Sequence, residues 1–324
     1  MEAAPLQVLL IGLGQIGMGY DLALDPERYV LSHARAYTGH PDFRLCAGVD
    51  PDAGQRATFT ERFGAPAYAD LEEALARHRP DLVAVALPTA LHRDAVERVL
   101  ACARPAAILC EKPLAYDIGD ARAMVALCEE AGVPLYVNYI RRSDIAAIEV
   151  AHRLRAGAIA GPGIKGVCWY SKGFRHNGSH FFNLLQFWLG PMQRFHLIDA
   201  GRQLADGDAE PDVQVAFRDG TVTFLAAREE QFSHYTIELV AANGRLRYEQ
   251  GGRTVLWQQA GPDPRLPAYT VLAQEPEQLA TGLDRYQWHV AENLARALRG
   301  DAGAALCSGA EALATLEAID SILQ

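Results

Sequence analysis

The stretch LQVLLIGLGQIG, residues 6–17, decides the fold of this chain. Its first six residues form an apolar run typical of a strand that is buried on both faces of a parallel sheet. Gly12, Gly14 and Gly17 follow in the pattern GxGxxG, which permits a tight turn and close approach of the backbone to a pyrophosphate. Because glycine-rich turns are common, the motif is weak evidence without its context.

The chain that follows alternates short apolar runs with longer amphipathic stretches as far as about Asn138. Helix signals include Asp70 before LEEALARH and Gly132 after ARAMVALCEEA. This alternation predicts repeated βαβ units and a doubly wound parallel sheet. The strands are predicted at Leu6–Ile11, Phe43–Val49, Leu82–Leu87, Ala107–Cys110 and Pro134–Val137, with a short one at Ala67 and Tyr68.

After Asn138 the apolar pattern changes to longer alternating runs with hairpin signals at Asp219–Gly220 and Asn243–Gly244. We expect a large open, mainly antiparallel sheet, with helices at SDIAAIEVAHRLRAG, HFFNLLQFWLG, RYQWHVAENLARALRG and SGAEALATLEAIDSILQ. The predicted fold class is α/β. Residues 1–140 are predicted to form the doubly wound domain, and residues 141–324 an α+β domain for substrate binding and oligomerisation. The sequence also allows the C-terminal helices of the second domain to pack against the first domain.

Composition argues against several classes of protein. The formal net charge is −10 and the basic residues are scattered, so nucleic acid is not an expected partner. The six cysteines show no CxxC or metal-ligand spacing and read as reduced core thiols. The apolar N-terminus lacks a basic leader region and is too short to span a bilayer. We therefore expect a cytoplasmic protein with no membrane contact.

A candidate cofactor site surrounds the glycine motif. The second predicted strand ends at Asp50, whose carboxylate can accept from both ribose hydroxyls of an adenosine and would repel a 2′-phosphate. This favours NAD over NADP. Asp50 lies beyond the spacing of roughly 20 residues expected after the glycines, which indicates an enlarged first crossover; the alternative is a strand-end turn with Pro51. The predicted cofactor-binding residues are Gly12, Gly14, Gln15, Ile16, Gly17, Asp50, Leu87, Pro88, Thr89, His92, Glu111 and Lys112.

Two further strand ends carry polar residues to the same edge of the predicted sheet. LPTALH, residues 87–92, follows one strand, and CEKP, residues 110–113, follows the next. Ligands of open α/β sheets bind at this carboxyl edge. Lys112 would there place an ammonium group where it can donate to a reacting oxygen.

In their order along the chain, GLGQIG, LPTALH, CEKP, VNYIRR and NGSHFFNLLQFWLG resemble the glucose–fructose oxidoreductase, inositol dehydrogenase and MocA (Gfo/Idh/MocA) family. The resemblance covers essentially the whole chain. It implies an N-terminal Rossmann domain, a C-terminal domain with an open sheet, and a substrate pocket between them. By position, it also implies that Lys112 is the catalytic lysine and His180 the histidine of the family's DxGxH segment.

One part of this segment departs from the family pattern. Relatives commonly have Asp where this chain has His176, and many have another Asp where it has Asn183, so a base role for His176 does not follow. A neutral imidazole at His180 suits removal of a hydroxyl proton as hydride leaves the same carbon. The alternative is that His180 is a helix-start residue and Lys112 a solvated lysine. A metal pair of His176 and His180 lacks an evident third ligand, so no metal is predicted.

Substrate contacts are predicted on two segments, VNYIRR and YSKGFRHNGSH. Arg141 or Arg142 could clamp an anionic group, or could instead pair with acidic surface residues. The pattern resembles relatives from surface-polysaccharide and nucleotide-sugar pathways. This resemblance implies that the substrate is a sugar or nucleotide sugar, with an inositol or another cyclic polyol as the second choice. The predicted substrate residues are Tyr139, Arg141, Arg142, Tyr170, Lys172, His176 and Asn177.

These features predict an NAD-dependent oxidoreductase that transfers a hydride between nicotinamide and a carbinol carbon. A redox-neutral epimerase that recycles bound NAD, or a non-catalytic cofactor-sensing regulator, is an alternative; a regulator would need the glycines and Asp50 but neither Lys112 nor His180. We also expect a homodimer or homotetramer, because some apolar positions of the open sheet should face helices and others a partner. These positions are Val213, Val215, Phe217, Val222 and Phe224.

Overall fold

Two sheets organise the chain in the computed structural model, which describes residues 4–160, 163–205 and 207–324. Each sheet belongs to its own unit. The first unit runs to Ser143 and resumes over Asp284–Ala314; the second comprises Asp144–Leu283 and Thr315–Gln324. No helix in the described ranges has both the length and the apolar character needed to cross a membrane.

The strands are β1 (Leu6–Ile11), β2 (Phe43–Val49), β3 (Ala67–Tyr68), β4 (Leu82–Val85), β5 (Ala107–Cys110), β6 (Leu135–Val137), β7 (Ile164–Tyr170), β8 (Met192–Gln203), β9 (Ala209–Phe217), β10 (Gly220–Ala226), β11 (Thr236–Ala241), β12 (Gly244–Glu249), β13 (Thr254–Pro262), β14 (Thr270–Leu272), β15 (Glu277–Leu279) and β16 (Cys307–Ser308). The α-helices are α1 (His33–Gly39), α2 (Ala53–Phe63), α3 (Leu71–Arg77), α4 (His92–Cys102), α5 (Ile118–Ala131), α6 (Ile145–Arg155), α7 (Ser179–Leu189), α8 (Tyr286–Leu298) and α9 (Gly309–Leu323).

The first unit is built on a sheet with the strand order β16-β6-β5-β4-β1-β2-β3. All its neighbours pair in parallel except β16, which pairs antiparallel with β6. Every residue of β4 and β5 is buried, as the continuous apolar runs predict. The strand order changes direction between β1 and β4, and a ligand crevice is expected outside the carboxyl ends of such strands.

Four helices begin directly after an aspartate, as the sequence signals predict for α3 and α5. The carboxylates of Asp52, Asp70, Asp117 and Asp144 each accept a hydrogen bond from a backbone N–H in the first turn. Such caps satisfy donors that the start of a helix leaves without partners, and each is worth about 1 kcal/mol. These caps fix where the crossover helices begin and therefore where the preceding loops end.

The first crossover is interrupted by a looped-out segment. The N–H of His33 donates to the carbonyl of Ile16 (3.1 Å) and that of Ala34 to the carbonyl of Gly17 (2.8 Å). The start of α1 therefore continues the turn formed by the glycine motif. Residues 18–32, here called the excursion, leave the path of the helix and return to it.

A buried carboxylate closes the excursion. Asp21 accepts hydrogen bonds from the backbone N–H groups of Leu31 (2.6 Å) and Ser32 (2.9 Å) and from the Ser32 hydroxyl (2.6 Å). Without the excursion, the distance along the chain from Gly17 to Asp50 would be close to the roughly 20 residues expected. The interpretation of the long spacing as an enlarged first crossover therefore matches the structure.

The second unit is built on a nine-stranded sheet with the order β14-β13-β12-β11-β7-β10-β9-β8, and β15 pairs with β13. All pairs are antiparallel except β7 with β10. The predicted hairpins at Asp219–Gly220 and Asn243–Gly244 join β9 to β10 and β11 to β12. Side chains of α6 and α7 pack on one face of this sheet to form the core of the unit.

One expectation about this sheet is wrong. We expected some of the five apolar residues on β9 and β10 to face helices and others to face a partner subunit. All five are buried in the same core. Their alternate spacing puts them on one face, so none is available to a partner. These residues are Val213, Val215, Phe217, Val222 and Phe224.

Candidate active site

The glycine motif forms a turn that other side chains would block. Gly12 has a φ of +91°, and a Cβ there would lie 2.5 Å from the carbonyl oxygen of Ala86. A Cβ on Gly17 would lie 2.1 Å from the carbonyl oxygen of Gly12. A Cβ on Gly14 would meet no atom within 4 Å. The turn therefore requires glycine at two positions for packing, while its middle glycine faces open space.

This open backbone fits the pyrophosphate of a dinucleotide. Gly14 and Gln15 are exposed and Ile16 is half-buried, so the turn is accessible from outside. The predicted helix start is present only as the single turn before the excursion. N–H groups at such a turn can still hold phosphate oxygens, because they have no partners within the helix.

The sequence left two roles open for Asp50, a contact at the cofactor site and a local turn at the end of the strand, and its carboxylate lies at both places. Its Oδ2 accepts from the N–H of Leu13 (2.8 Å), which ties the end of β2 to the glycine turn. Its Oδ1 accepts from the N–H of Asp52 (2.8 Å), which closes a local turn after the strand. Each carboxylate oxygen can accept a second hydrogen bond. The residue is half-buried, so ribose hydroxyls fit the remaining acceptor positions.

The loop after β4 offers backbone and small side chains rather than a histidine. Pro88 is exposed, and Leu87 and Thr89 are half-buried. His92 was predicted to bind the cofactor but is fully buried: its Nε2 lies 2.8 Å from the Leu87 carbonyl oxygen and its Nδ1 3.1 Å from that of Leu114. Its imidazole therefore ties the loop after β4 to the loop after β5, which is an indirect role.

Glu111, at the end of β5, also points into the protein. Its Oε1 lies 2.8 Å from His33 Nε2 and accepts a hydrogen bond from Asn138 Nδ2 at 2.6 Å. Burial acts to raise the pKa of Glu111, but His33, Asn138 and the charge of Lys112 outweigh it, so the pKa is below its usual value. The structure shows the Glu111 carboxylate hydrogen-bonded to protein groups, and its contact with the cofactor stays a prediction.

Lys112 follows Glu111 directly and is half-buried at the carboxyl edge of the first sheet. The peptide bond to Pro113 is cis. The sheet topology thus places the glycine turn, Asp50, the loop after β4 and Lys112 on the ends of adjacent parallel strands. Sequence reasoning missed His33 and Asn138, because nothing in their local pattern indicates a shared buried carboxylate.

The two arginines of VNYIRR differ in their surroundings. Arg142 is buried, and its guanidinium donates to Glu311 Oε1 at 2.6 Å. Of the two predicted alternatives, it therefore pairs with an acidic residue of the protein and does not bind an anionic group of a substrate. Tyr139 is also buried. Arg141 is half-buried. Its charge acts on the neighbouring Tyr286, whose pKa is raised by burial first and by nearby carboxylates, and is lowered by Arg141. A substrate contact of Arg141 stays a prediction.

In the second unit, the predicted substrate segment forms an irregular turn between β7 and α7. Residues Gly173–Gly178 form a single turn of π-helix, which is rare and frequent at functional sites. Lys172 and His176 are exposed, and Asn177 is half-buried. His180 lies in the first turn of α7 and is 8% exposed. The chain thus carries four of the predicted polar residues on one short stretch.

Tyr170 does not belong to this group. It is fully buried, its hydroxyl donates to the Pro211 carbonyl oxygen (2.6 Å), and its ring packs against Phe174 and Phe224. Burial raises the pKa of its phenol well above the usual range. The prediction that Tyr170 contacts substrate is therefore corrected. A tyrosine at the end of a strand gives no sign in the sequence of which face it occupies.

Asn183 is buried on α7, where its Nδ2 donates to Thr315 Oγ1 at 3.0 Å. It takes part in the packing of α9 within the second unit. Among the described residues, no cluster of three or more His, Cys, Asp or Glu side chains is placed to hold a metal ion.

The comparison with known families decides what the first unit is. The profile of the oxidoreductase family with an NAD-binding Rossmann fold matches residues 6–139. Residues 6–139 therefore match the NAD-binding Rossmann segment of the Gfo/Idh/MocA family. The NAD-binding Rossmann fold of this family agrees with the parallel sheet and with the glycine turn described above, and α/β is confirmed as the fold class.

Individual Gfo/Idh/MocA relatives add detail. The D-apiose dehydrogenase of Paraburkholderia graminis is 31% identical over 226 residues, which covers 69% of this chain and 56% of that protein. The chain spans about half the length of the curated relatives it matches. Two solved structures share the fold: the WlbA dehydrogenase of Bordetella pertussis with NADH and UDP-GlcNAcA (TM-score 0.74, 18% identity, 100% of this chain and 96% of that one) and an NAD binding oxidoreductase from Klebsiella pneumoniae (TM-score 0.78, 18% identity, 99% and 97%).

Proposed function

We propose that this chain is an NAD-dependent oxidoreductase that transfers a hydride between nicotinamide and a carbinol carbon of a sugar or nucleotide sugar. The observation that carries the proposal is the carboxyl edge of the first sheet. There the open glycine turn, Asp50 and Lys112 follow the carboxyl ends of β1, β2 and β5 in one parallel sheet, within the segment that matches the Gfo/Idh/MocA family.

In this proposal the first unit binds NAD, and bound NAD accepts or supplies the hydride. The turn at Gly14 holds the pyrophosphate, and Asp50 accepts from the adenosine ribose, which favours NAD over NADP because a 2′-phosphate would be repelled. Lys112 donates to the reacting oxygen and stabilises the charge that develops on it. His180 is the proposed base, whose neutral imidazole takes the hydroxyl proton near pH 7.

A polyhydroxylated substrate is supported by the remaining polar residues and by the relatives. Arg141, Lys172, His176 and Asn177 supply donors that suit hydroxyl, carboxylate or phosphate groups. The relative from P. graminis is named for the sugar D-apiose, and WlbA was solved with a nucleotide sugar. We therefore propose a sugar or nucleotide sugar as the substrate, in preference to an inositol or another polyol.

We also propose a homo-oligomer in the cytoplasm. Phe195, Leu197 and Ile198 of β8 and Trp169 of β7 are large apolar side chains exposed on the sheet of the second unit, and such surfaces mark interaction sites. All six cysteines are free thiols, which suits a reducing compartment.

The test is a screen of sugars, nucleotide sugars and inositols for NAD reduction, followed by the absorbance of reduced nicotinamide. We expect Lys112→Ala and His180→Ala each to lower kcat by about 10² to 10⁴-fold while NAD affinity falls little for His180→Ala. Lys165→Ala and His152→Ala, at exposed positions of β7 and α6, are the matched controls. Equal turnover in all four variants and the parent would refute the assignment.

A further inference from the structure

The turn that carries the predicted substrate residues rests on two buried carboxylates. Oε1 of Glu210 accepts from the N–H groups of Lys172 (2.8 Å) and Gly173 (3.1 Å). Oδ1 of Asp208 accepts from the N–H of Arg175 (3.0 Å), and its Oδ2 accepts from that of His176 (2.9 Å). Four backbone donors within five residues are thus bound by two side chains that enter from the start of β9.

The backbone of this turn is shaped around those oxygens. Lys172 and Gly173 are successive left-handed residues, with φ of +69° and +81°. The N–H groups of these two residues both point to Oε1 of Glu210, which occupies the concave side of the turn. A non-glycine residue in the left-handed region is strained and persists only where the surroundings enforce it. The carboxylates supply that enforcement.

The charges of the two carboxylates are held inside the second unit. Glu210 is 3% exposed and Asp208 is 6% exposed. Buried charges are costly unless they are hydrogen-bonded or paired. The Arg202 guanidinium pairs with Oε2 of Glu210, and the N–H of Ala209 donates to Oδ1 of Asp208 (2.8 Å). Every carboxylate oxygen of this pair therefore has a donor.

We propose that Asp208, supported by Glu210, is the positioning residue of the candidate active site. It fixes the direction of the turn that presents His176 and leads into His180. The inference rests on the proposed function and deepens it, because it names what aligns the substrate residues and the proton acceptor. Asp208 touches neither substrate nor cofactor in this scheme.

Asp208→Asn is the decisive variant. An amide of nearly the same shape can accept through only one of its two terminal atoms, so one of the bonds to Arg175 and His176 is replaced by a contact between two donors. Glu210→Gln is a second variant, and Asp219→Asn, at an exposed hairpin turn, is the matched control. Glu210→Gln keeps the proposal testable if Asp208→Asn fails to fold.

Two measurements separate positioning from simple structural support. The first is steady-state kinetics per NAD-binding site, well below the unfolding temperature. We expect Asp208→Asn to lower kcat/KM by about 10 to 100-fold with NAD affinity within twofold of the parent. A residue with only a structural role would lower the unfolding midpoint but leave kcat and KM of the folded protein unchanged, and that result would overturn the proposal.

The second measurement does not depend on turnover. In NMR spectra of isotope-labelled protein, Asp208→Asn should shift the backbone amide signals of Arg175 and His176 and the ring signals of His180. Asp219→Asn should leave these signals unchanged. If the parent oxidises no compound in the screen, the proposed function fails, and these shifts alone decide the positioning role. Unchanged His180 ring signals in both Asp208→Asn and Glu210→Gln would refute it.

Discussion

The glycine turn after β1 and the turn of π-helix after β7 both rely on a glycine with positive φ, but the first turn is open and the second is filled. Each contains or directly follows a glycine with positive φ, Gly12 at +91° and Gly173 at +81°. At the first turn a Cβ on Gly14 would meet nothing within 4 Å, whereas at the second a Cβ on Gly173 would lie 2.1 Å from Oδ2 of Asp208.

The difference lies in where the anion comes from. The first turn leaves its concave side open, so a phosphate from outside the protein can occupy it. The second turn is filled by the protein's own carboxylates, which hold its backbone in place, while the side chains of Lys172 and His176 are exposed. The turn after β1 is therefore open to a ligand, and the turn after β7 is occupied by the protein itself.

The largest expected effect comes from filling the open turn. Gly14→Asp should leave the free energy of unfolding nearly unchanged, because there is room for the side chain, but should weaken NAD binding by at least about 100-fold, or about 2.7 kcal/mol, because a carboxylate would repel the pyrophosphate. Calorimetric titration with NAD measures this. Gly261→Asp, also in open space, is the control. Equal NAD affinity in both variants would show that the turn does not bind the pyrophosphate.

The next effect comes from crowding the filled turn. Gly173→Ala should lower the free energy of unfolding by about 3 kcal/mol, since it combines a left-handed alanine with a clash against Asp208. Gly157 also has a positive φ (+71°) but has no atom within 4 Å of a Cβ, so Gly157→Ala should cost only about 1 kcal/mol. Urea unfolding measures both. If the two losses were equal, the carboxylates would not fill the turn as described.

The smallest effect concerns the carboxylate beside Lys112. The pKa of Glu111 is lowered in the folded state, so its ionised form stabilises the fold above the ordinary glutamate pKa of about 4.3, and this contribution is lost as pH falls through the lowered value. Glu111→Gln should therefore cost about 1–2 kcal/mol at neutral pH. Unfolding at several pH values should show that the difference narrows in acid.

The exposed Glu61 supplies the control for this pH series, since Glu61→Gln should change stability by less than about 0.5 kcal/mol at any pH. A loss for Glu111→Gln that stayed constant down to strongly acidic pH would contradict the role given to its charge.

The sequence predicted most of the first sheet because fully buried parallel strands are continuous apolar runs. β1, β2 and β5 have the predicted limits, and β4 ends at Val85, two residues before the predicted Leu87. Hairpin signals were equally informative, since glycine at Gly220 and Gly244 begins a strand after a turn. Local patterns therefore located the elements, and the strand ends located the candidate cofactor site.

The directions of individual side chains could not be predicted in the same way. Tyr170, His92 and Arg142 follow strands at the expected edges, yet each is buried with a partner distant in sequence or in a neighbouring loop. Conversely, no sequence pattern singled out Asp208 and Glu210, because their partners are backbone N–H groups that carry no sequence signal. A motif specifies where a residue stands, whereas tertiary contacts decide what it faces.

The excursion has a further consequence for how this chain can vary. Because α1 resumes on the carbonyls of Ile16 and Gly17, the two ends of the excursion lie side by side. Closing a longer or shorter loop between adjacent ends changes the chain entropy only slowly with length. The position between Gly17 and His33 is thus a natural graft site beside the glycine turn, where a new segment can be installed while the helix keeps its register.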